Sequence, residues 1–92
     1  MLNSIPKLRR PYRKIRNYIL ILPNYLLNET GSRCIELCDG SHTIKQIIDI
    51  ISAEHNVPNE VVESDVLSFF KELERLGLIE LIDRGSIDVR TH

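Results

Sequence analysis

An α+β fold, with a small three-stranded antiparallel sheet packed on three helices, is what this sequence predicts. Three observations carry that reading. Two β-rich runs, Tyr18-Ile19-Leu20-Ile21-Leu22 and Tyr25-Leu26-Leu27-Asn28, are separated by Pro23-Asn24 alone, a spacing that suits a hairpin. Downstream, three stretches repeat apolar residues at helical spacing. Between those stretches stand Asp39-Gly40, Asn56-Val57-Pro58 and Gly77, residues that stop helices.

In chain order, residues 1–11 read as a basic arm, because Pro6 and Pro11 oppose regular structure. Arg13 to Arg16 is read as a short first strand. Tyr18 to Leu22 is the second, bounded by Asn17 and Pro23. Tyr25 to Asn28 is the third, returning antiparallel after a turn that Pro23 and Asn24 favour. Asn28 caps a first helix, about Glu29 to Cys38, with Glu29 in the turn where the helix dipole favours an acid. Thr30, Cys34, Leu37 and Cys38 are expected on its core face, and Arg33 and Glu36 in solvent.

Ser41 or Thr43 opens the second helix, about Thr43 to His55. Its Ile44, Ile47, Ile48 and Ile51 follow the i, i+3, i+4, i+7 pattern. The third helix, about Asn59 to Leu76, carries a core stripe of Val62, Val66, Phe69, Leu73 and Leu76. Beside that stripe runs a second line, Glu63, Leu67, Phe70 and Glu74. Leu78 to Ile82 reads as a last strand or a packed coil. The domain is thus expected over residues 12–82, with 83–92 a polar, mobile tail.

Composition narrows the function. A chain of 92 residues, 42% hydrophobic, suits one domain with a small core. The net charge of -1 conceals an asymmetry: no acidic residue precedes Glu29, while Lys7, Arg9, Arg10, Arg13, Lys14 and Arg16 all do. A basic segment of this kind suits nucleic acid, an acidic partner or the protein's own acidic body. No signal peptide is legible, and the run Tyr18 to Leu22 is far too short to span a bilayer. Cys34 and Cys38, four apart on one helix, are poorly placed for a disulfide and fit a reducing cytoplasm.

Enzyme chemistry finds no foothold. Two cysteines do not complete a zinc site. His42 and His55 lie at opposite ends of the second helix, roughly 20 Å apart at about 1.5 Å per residue. There is no Ser-His-Asp arrangement and no Gly-rich phosphate loop. No catalytic set, metal or cofactor is therefore expected.

Two binding classes remain. Three helices with a terminal hairpin resemble winged-helix architecture, so DNA binding is one alternative. The third helix would have to enter the groove, however, and its early half carries Glu60, Glu63 and Asp65, which repel phosphates. Peptide binding by strand addition fits better. The strand Asn24-Tyr25-Leu26-Leu27-Asn28 leads straight into a helix and leaves an edge open to an extended chain. Glu63, Leu67, Phe70, Lys71 and Glu74 of the third helix would form the opposite wall. Leu67 and Phe70 would offer apolar pockets, and Lys71, Arg75 or the basic arm would hold acidic peptide residues. The competing reading is that Leu67 and Phe70 belong to the core.

The residues also resemble a known family. Leu27-Asn28-Glu29-Thr30-Gly31, then Ile35-Glu36-Leu37-Cys38-Asp39-Gly40, then Thr43 and Ile47-Ile48, are similar to the signature of PqqD-like proteins. The likeness continues through Val57-Pro58, Val62, Asp65-Val66, Phe69 and Leu73 to Leu76-Gly77-Leu78-Ile79, and so covers about Tyr18 to Ile82. The resemblance implies a winged-helix-like domain similar to the peptide chaperone of pyrroloquinoline quinone biosynthesis. Such a domain takes the leader of a ribosomally made precursor peptide as an added strand beside its third strand, here Asn24 to Asn28. The leader lies against the third helix and is presented to a modifying enzyme such as a radical S-adenosylmethionine enzyme, a peptidase or a cyclase.

Overall fold

The computed structural model describes residues 1–83. Eight elements follow in order: β1 (Ser4–Leu8), β2 (Tyr12–Ile15), β3 (Tyr18–Ile21), β4 (Tyr25–Leu27), α1 (Glu29–Glu36), α2 (Ile44–His55), α3 (Asn59–Arg75) and β5 (Ile79–Asp83). The three-stranded antiparallel sheet, in order β2-β3-β4, and the three helices make the α+β fold that the sequence predicts. Apart from Asp83, which ends β5, the expected tail lies outside the described residues.

Residues 1–11 depart from expectation. Instead of a free arm, they contain β1, which pairs antiparallel with β5 in a separate two-stranded sheet, from Ser4↔Asp83 to Leu8↔Ile79. Proline does not prevent this. The Arg9 N–H donates to the Leu78 carbonyl, so the alternation of the ladder aims position 6 away from β5, where a missing N–H costs nothing. The Pro6 ring is fully buried. Arg9 also forms a 3.0 Å ion pair with Glu80 across the two strands.

The β2–β3 hairpin closes through Arg16-Asn17, with Ile15 opposite Tyr18 and Arg16 left-handed at φ 57°. The β3–β4 hairpin closes through Leu22, Pro23 and Asn24, with a cis peptide between Leu22 and Pro23. Ile19, Ile21 and Leu27 point inward and are buried. A buried serine of α1 ties the sheet to the helix. The Ser32 hydroxyl accepts from the Ile19 N–H at 2.6 Å and donates to the Leu27 carbonyl at 3.4 Å.

The helices begin as their residues predict. The Asn28 side chain accepts from the Gly31 N–H at 2.8 Å and caps α1. Thr43, rather than Ser41, caps α2 in a reciprocal pair with Gln46. Asn56, left-handed at φ 55°, ends α2. Gly77, at φ 74°, ends α3: its N–H reaches the Glu74 carbonyl, and the Leu78 N–H reaches that of Leu73. These two bonds satisfy carbonyls that the last turn would leave open. Helix α1 stops at Glu36, two residues short of the expected end, where tighter bonds from Leu37 and Cys38 to Cys34 and Ile35 close it.

One core joins all of this. It combines Ile19, Ile21 and Leu27 with Cys34, Ile35, Leu37 and Cys38, the four isoleucines 44, 47, 48 and 51, then Val62, Val66, Phe70, Leu73 and Ile79. Four residues depart from expectation here. Thr30 is exposed, at the start of α1, and Leu76 is 40% exposed at the end of α3. Phe70, expected beside the core stripe, is fully buried, and Phe69, expected within it, is half-buried. Both phenylalanines sit at a helical step from Val66, so periodicity alone does not rank them. The elements packed on α3, chiefly α2 and β5, decide the centre of the stripe.

Candidate functional site

The feature that stands out is an edge. Strand β4 pairs with β3 on one side only, and among the described residues nothing pairs with its other side. The direction of its backbone groups follows from the ladder. The Leu22 N–H donates to the Pro11 carbonyl on the β2 side, and the Ile19 N–H points to the β4 side, where Ser32 Oγ receives it. Alternation then turns Ile19 and Ile21 of β3 toward Leu27 and Tyr25. The Leu26 N–H and carbonyl consequently face outward. They are the hydrogen-bonding pair that an incoming strand would meet first.

Helix α3 runs beside this edge. An ideal Cβ on Gly31 would lie 3.2 Å from the Phe69 ring, so α1 and α3 meet closely just past the end of β4. Next to that contact opens a cleft of about 270 Å³, lined by Asn28, Gly31, Cys34, Asp65, Val66 and Phe69. A second hollow, of about 190 Å³, shares Asp65 and Val66 and continues toward Val57 and Val61. Further along α3, the Arg75 guanidinium is held above its usual range by the Glu72 carboxylate. Asn28, at the end of β4, thus borders the flank of α3 that carries Asp65 and Phe69.

The residues expected at the site divide accordingly. Asn24 and Asn28 are exposed, Tyr25 is half-buried, Leu26 is 64% exposed and Leu27 points into the core. The expected wall on α3 does not face this cleft. At about 100° per residue, Glu63, Leu67 and Glu74 lie roughly 120–160° around the helix from Phe69, and Lys71 is as far away. Glu63 and Leu67 are half-buried there, while Lys71 and Glu74 are exposed. Phe70 offers no pocket, because its ring fills the core. Sequence reasoning missed the residues the structure brings together at the cleft: Gly31, Asp65, Val66 and Phe69. A signal for them existed. Gly31, inside a helix, marks a close approach by another element.

Polar chemistry at this cleft is sparse. Cys34, at its floor, is 1% exposed, and burial pushes its thiol up to about 12. Cys38 is raised further by the same cause, and both thiols are free. Among the described residues no three His, Cys, Asp or Glu side chains cluster to hold a metal ion. Among these residues, too, no helix is long and apolar enough to cross a membrane.

A separate polar pocket lies on the far side of α1. There the Arg33 guanidinium grips the Glu54 carboxylate with Nε at 3.0 Å and Nη2 at 2.6 Å, and Lys14 Nζ donates to Glu36 at 2.5 Å. Both acids are held below the usual carboxylate range, Glu54 chiefly by Arg33 and Glu36 chiefly by Lys14. These pairs tie α2 to α1 and β2 to α1, and every charge in them is matched.

Comparisons with known proteins agree with the residues. A curated protein of Methylococcus capsulatus, described as PqqA binding protein, is 28% identical over 85 residues, covering 89% of each chain. No solved structure matches. The model of the family described as coenzyme PQQ synthesis protein D (PqqD) matches residues 19–79, from β3 through all three helices to the start of β5. With more than half of its length inside that match, including the open edge and the cleft beside it, the chain belongs to the PqqD family.

Proposed function

We propose that this protein binds the leader of a ribosomally synthesised precursor peptide as an added strand on the outer edge of β4. It then presents that peptide to a modifying enzyme and performs no chemistry itself. The observation that carries the reading is the outward-facing Leu26 N–H and carbonyl, on an unpaired edge that opens beside an apolar cleft against α3. Backbone bonding supplies affinity in this mode, and pockets for alternate side chains supply selectivity. The family and the PqqA binding relative support a precursor peptide of quinone-cofactor synthesis as the ligand. Phe69, Val66 and Gly31 receive an apolar side chain of the leader, with Asp65 at the rim. The modifying enzyme is a radical S-adenosylmethionine enzyme, a peptidase or a cyclase, and two buried free thiols suit a cytoplasmic setting.

Nothing favours the DNA-binding alternative. Helix α3 exposes Glu60 and Asp65 in its first half, where a groove reader needs cations.

Calorimetric titration with a synthetic leader peptide of the PqqA type tests the proposal. Saturable binding is expected. Leu26→Pro, which deletes the outward N–H, is expected to abolish binding while circular dichroism shows an intact fold. A wild-type protein that ignores the leader, or a folded Leu26→Pro variant that binds it normally, would overturn the reading.

A further inference from the structure

The opposite face of the three-stranded sheet has no role in the edge-and-cleft site. Inward residues alternate with outward ones along each strand. Ile19, Ile21 and Leu27 take the core side, so Tyr18, Leu20 and Leu26 take the other. Cross-strand pairing adds Ile15 opposite Tyr18 and Arg13 opposite Leu20. Ile15 is 50% exposed, Tyr18 43% and Leu26 64%. None of these three, nor Leu20, packs against the core, and among the described residues no element covers them. Four neighbouring apolar side chains on a flat face mark an interaction surface rather than scattered exposure.

The charge around the patch says what kind of partner it fits. Lys14, on the helix side of β2, is neutralised by Glu36. Arg13, on the outer side, and Arg16, at the turn, have no carboxylate within ion-pair distance among the described residues. A second copy applied face to face would bring four arginines together and no acid. A membrane surface calls for a denser cluster of about four to eight cations. Nucleic acid calls for cations where this face has isoleucine, leucine and tyrosine. What remains is a protein surface with an apolar centre and an Asp/Glu border.

We infer that the outer face of the β2-β3-β4 sheet, centred on Ile15, Tyr18, Leu20 and Leu26, docks the enzyme that modifies the bound peptide, through an apolar, acid-bordered patch on that enzyme. The inference rests on the proposed peptide site and deepens it. Leu26 belongs to both surfaces: its backbone faces the free edge and its side chain the outer face. A peptide strand added to β4 would extend this face by one strand and lay alternate side chains beside the docked enzyme. Recognition of the leader and delivery to the enzyme would then use two sides of one strand.

The test uses the full chain and the purified enzyme that modifies the bound peptide. Binding is followed by fluorescence anisotropy, with leader titrations run on the same proteins. Ile15→Ser with Tyr18→Ser, and separately Arg13→Glu, are expected to weaken enzyme binding at least about tenfold. Arg13→Lys is expected to retain most of it, and leader affinity to stay within about twofold throughout. Enzyme binding that is absent, or indifferent to these substitutions, while the leader still binds would overturn this inference alone. Loss of leader binding by the wild-type protein would overturn the earlier reading instead. Two further results would also overturn the docking assignment: a wild-type dimer by sedimentation that Ile15→Ser dissociates, or tight binding to phosphatidylserine vesicles.

Discussion

At the scale of single residues, two adjacent phenylalanines show how position outweighs chemistry. Phe69 and Phe70 touch at 5.4 Å between ring centroids, yet one is half-buried beside the cleft and the other fills the core. Phe70→Ala is expected to cost about 3–5 kcal/mol by urea denaturation, because it empties a fully enclosed site. Phe69→Ala is expected to cost less than about 2 kcal/mol and to weaken leader binding instead, so the two effects separate in one pair of variants. Cys34 and Cys38 make a second prediction. Burial raises both thiols, and a thiol that does not ionise is a poor nucleophile. Ellman's reagent near pH 8 is expected to label neither until denaturant is added. Fast labelling of the folded protein would contradict the packing of α1.

Asp39 carries a pH dependence. Its carboxylate accepts from the Ser41 hydroxyl and N–H, with His42 adding a smaller effect, and its pKa falls from 3.8 to about 2. A folded pKa below the unfolded one gives stability that is present above the unfolded value and lost as pH falls through the folded one. The contribution is therefore complete above about pH 4 and disappears toward about pH 2. Glu36 and Glu54, both lowered, act in the same direction. Urea midpoints measured down this range should fall less steeply for Asp39→Ala than for the wild type.

At the scale of elements, the caps and the last two helix stops are legible in the sequence, since they depend on a few consecutive residues, whereas α1 ends at Glu36, ahead of Asp39-Gly40. Asn28, Thr43, Asn56 and Gly77 all act where local chemistry puts them. Asn28→Ala is expected to cost about 1 kcal/mol, read from the thermal or urea midpoint, because the Gly31 N–H loses its acceptor. The forked Arg33–Glu54 contact ties α1 to α2, but both ends are more than a third exposed. Solvent screening holds its worth to at most about 1 kcal/mol. The hairpin β3–β4 was also legible, and with it the open edge, because a three-residue connection leaves a short strand few other partners. Which flank of α3 faces that edge was not. A helix shows a sequence its period, but the phase between two candidate faces is set by the neighbours. Here Gly31 lets the Phe69 flank approach, and β5 and α2 cover the Phe70 side.

At the scale of the whole molecule, the two ends of the described chain close on each other. Strand β1 lies against β5, the Leu2 carbonyl accepts from the Lys45 N–H at 2.9 Å, and Pro6 is enclosed. Deleting residues 1–9 is expected to lower stability by about 2 kcal/mol or more in a urea melt, since it uncovers the surface that Pro6 packs on and strips β5 of its partner. An unchanged midpoint would restore the picture of a free arm. The basic residues of the first strands differ in role. Arg9 is spent on Glu80 and Lys14 on Glu36, while Arg13 stays on the open sheet face.

By itself the sequence determined the three helices and their caps, the β3–β4 hairpin and the family, because each rests on residues close together in the chain or on a pattern of spacing. Tertiary structure alone decided that the N-terminal segment is a strand, that Phe69 rather than Phe70 borders the cleft, and that Leu26 turns its backbone outward. Those outcomes depend on contacts between residues far apart in the chain, such as Ser4 with Asp83 and Arg9 with Glu80, and no local propensity records them.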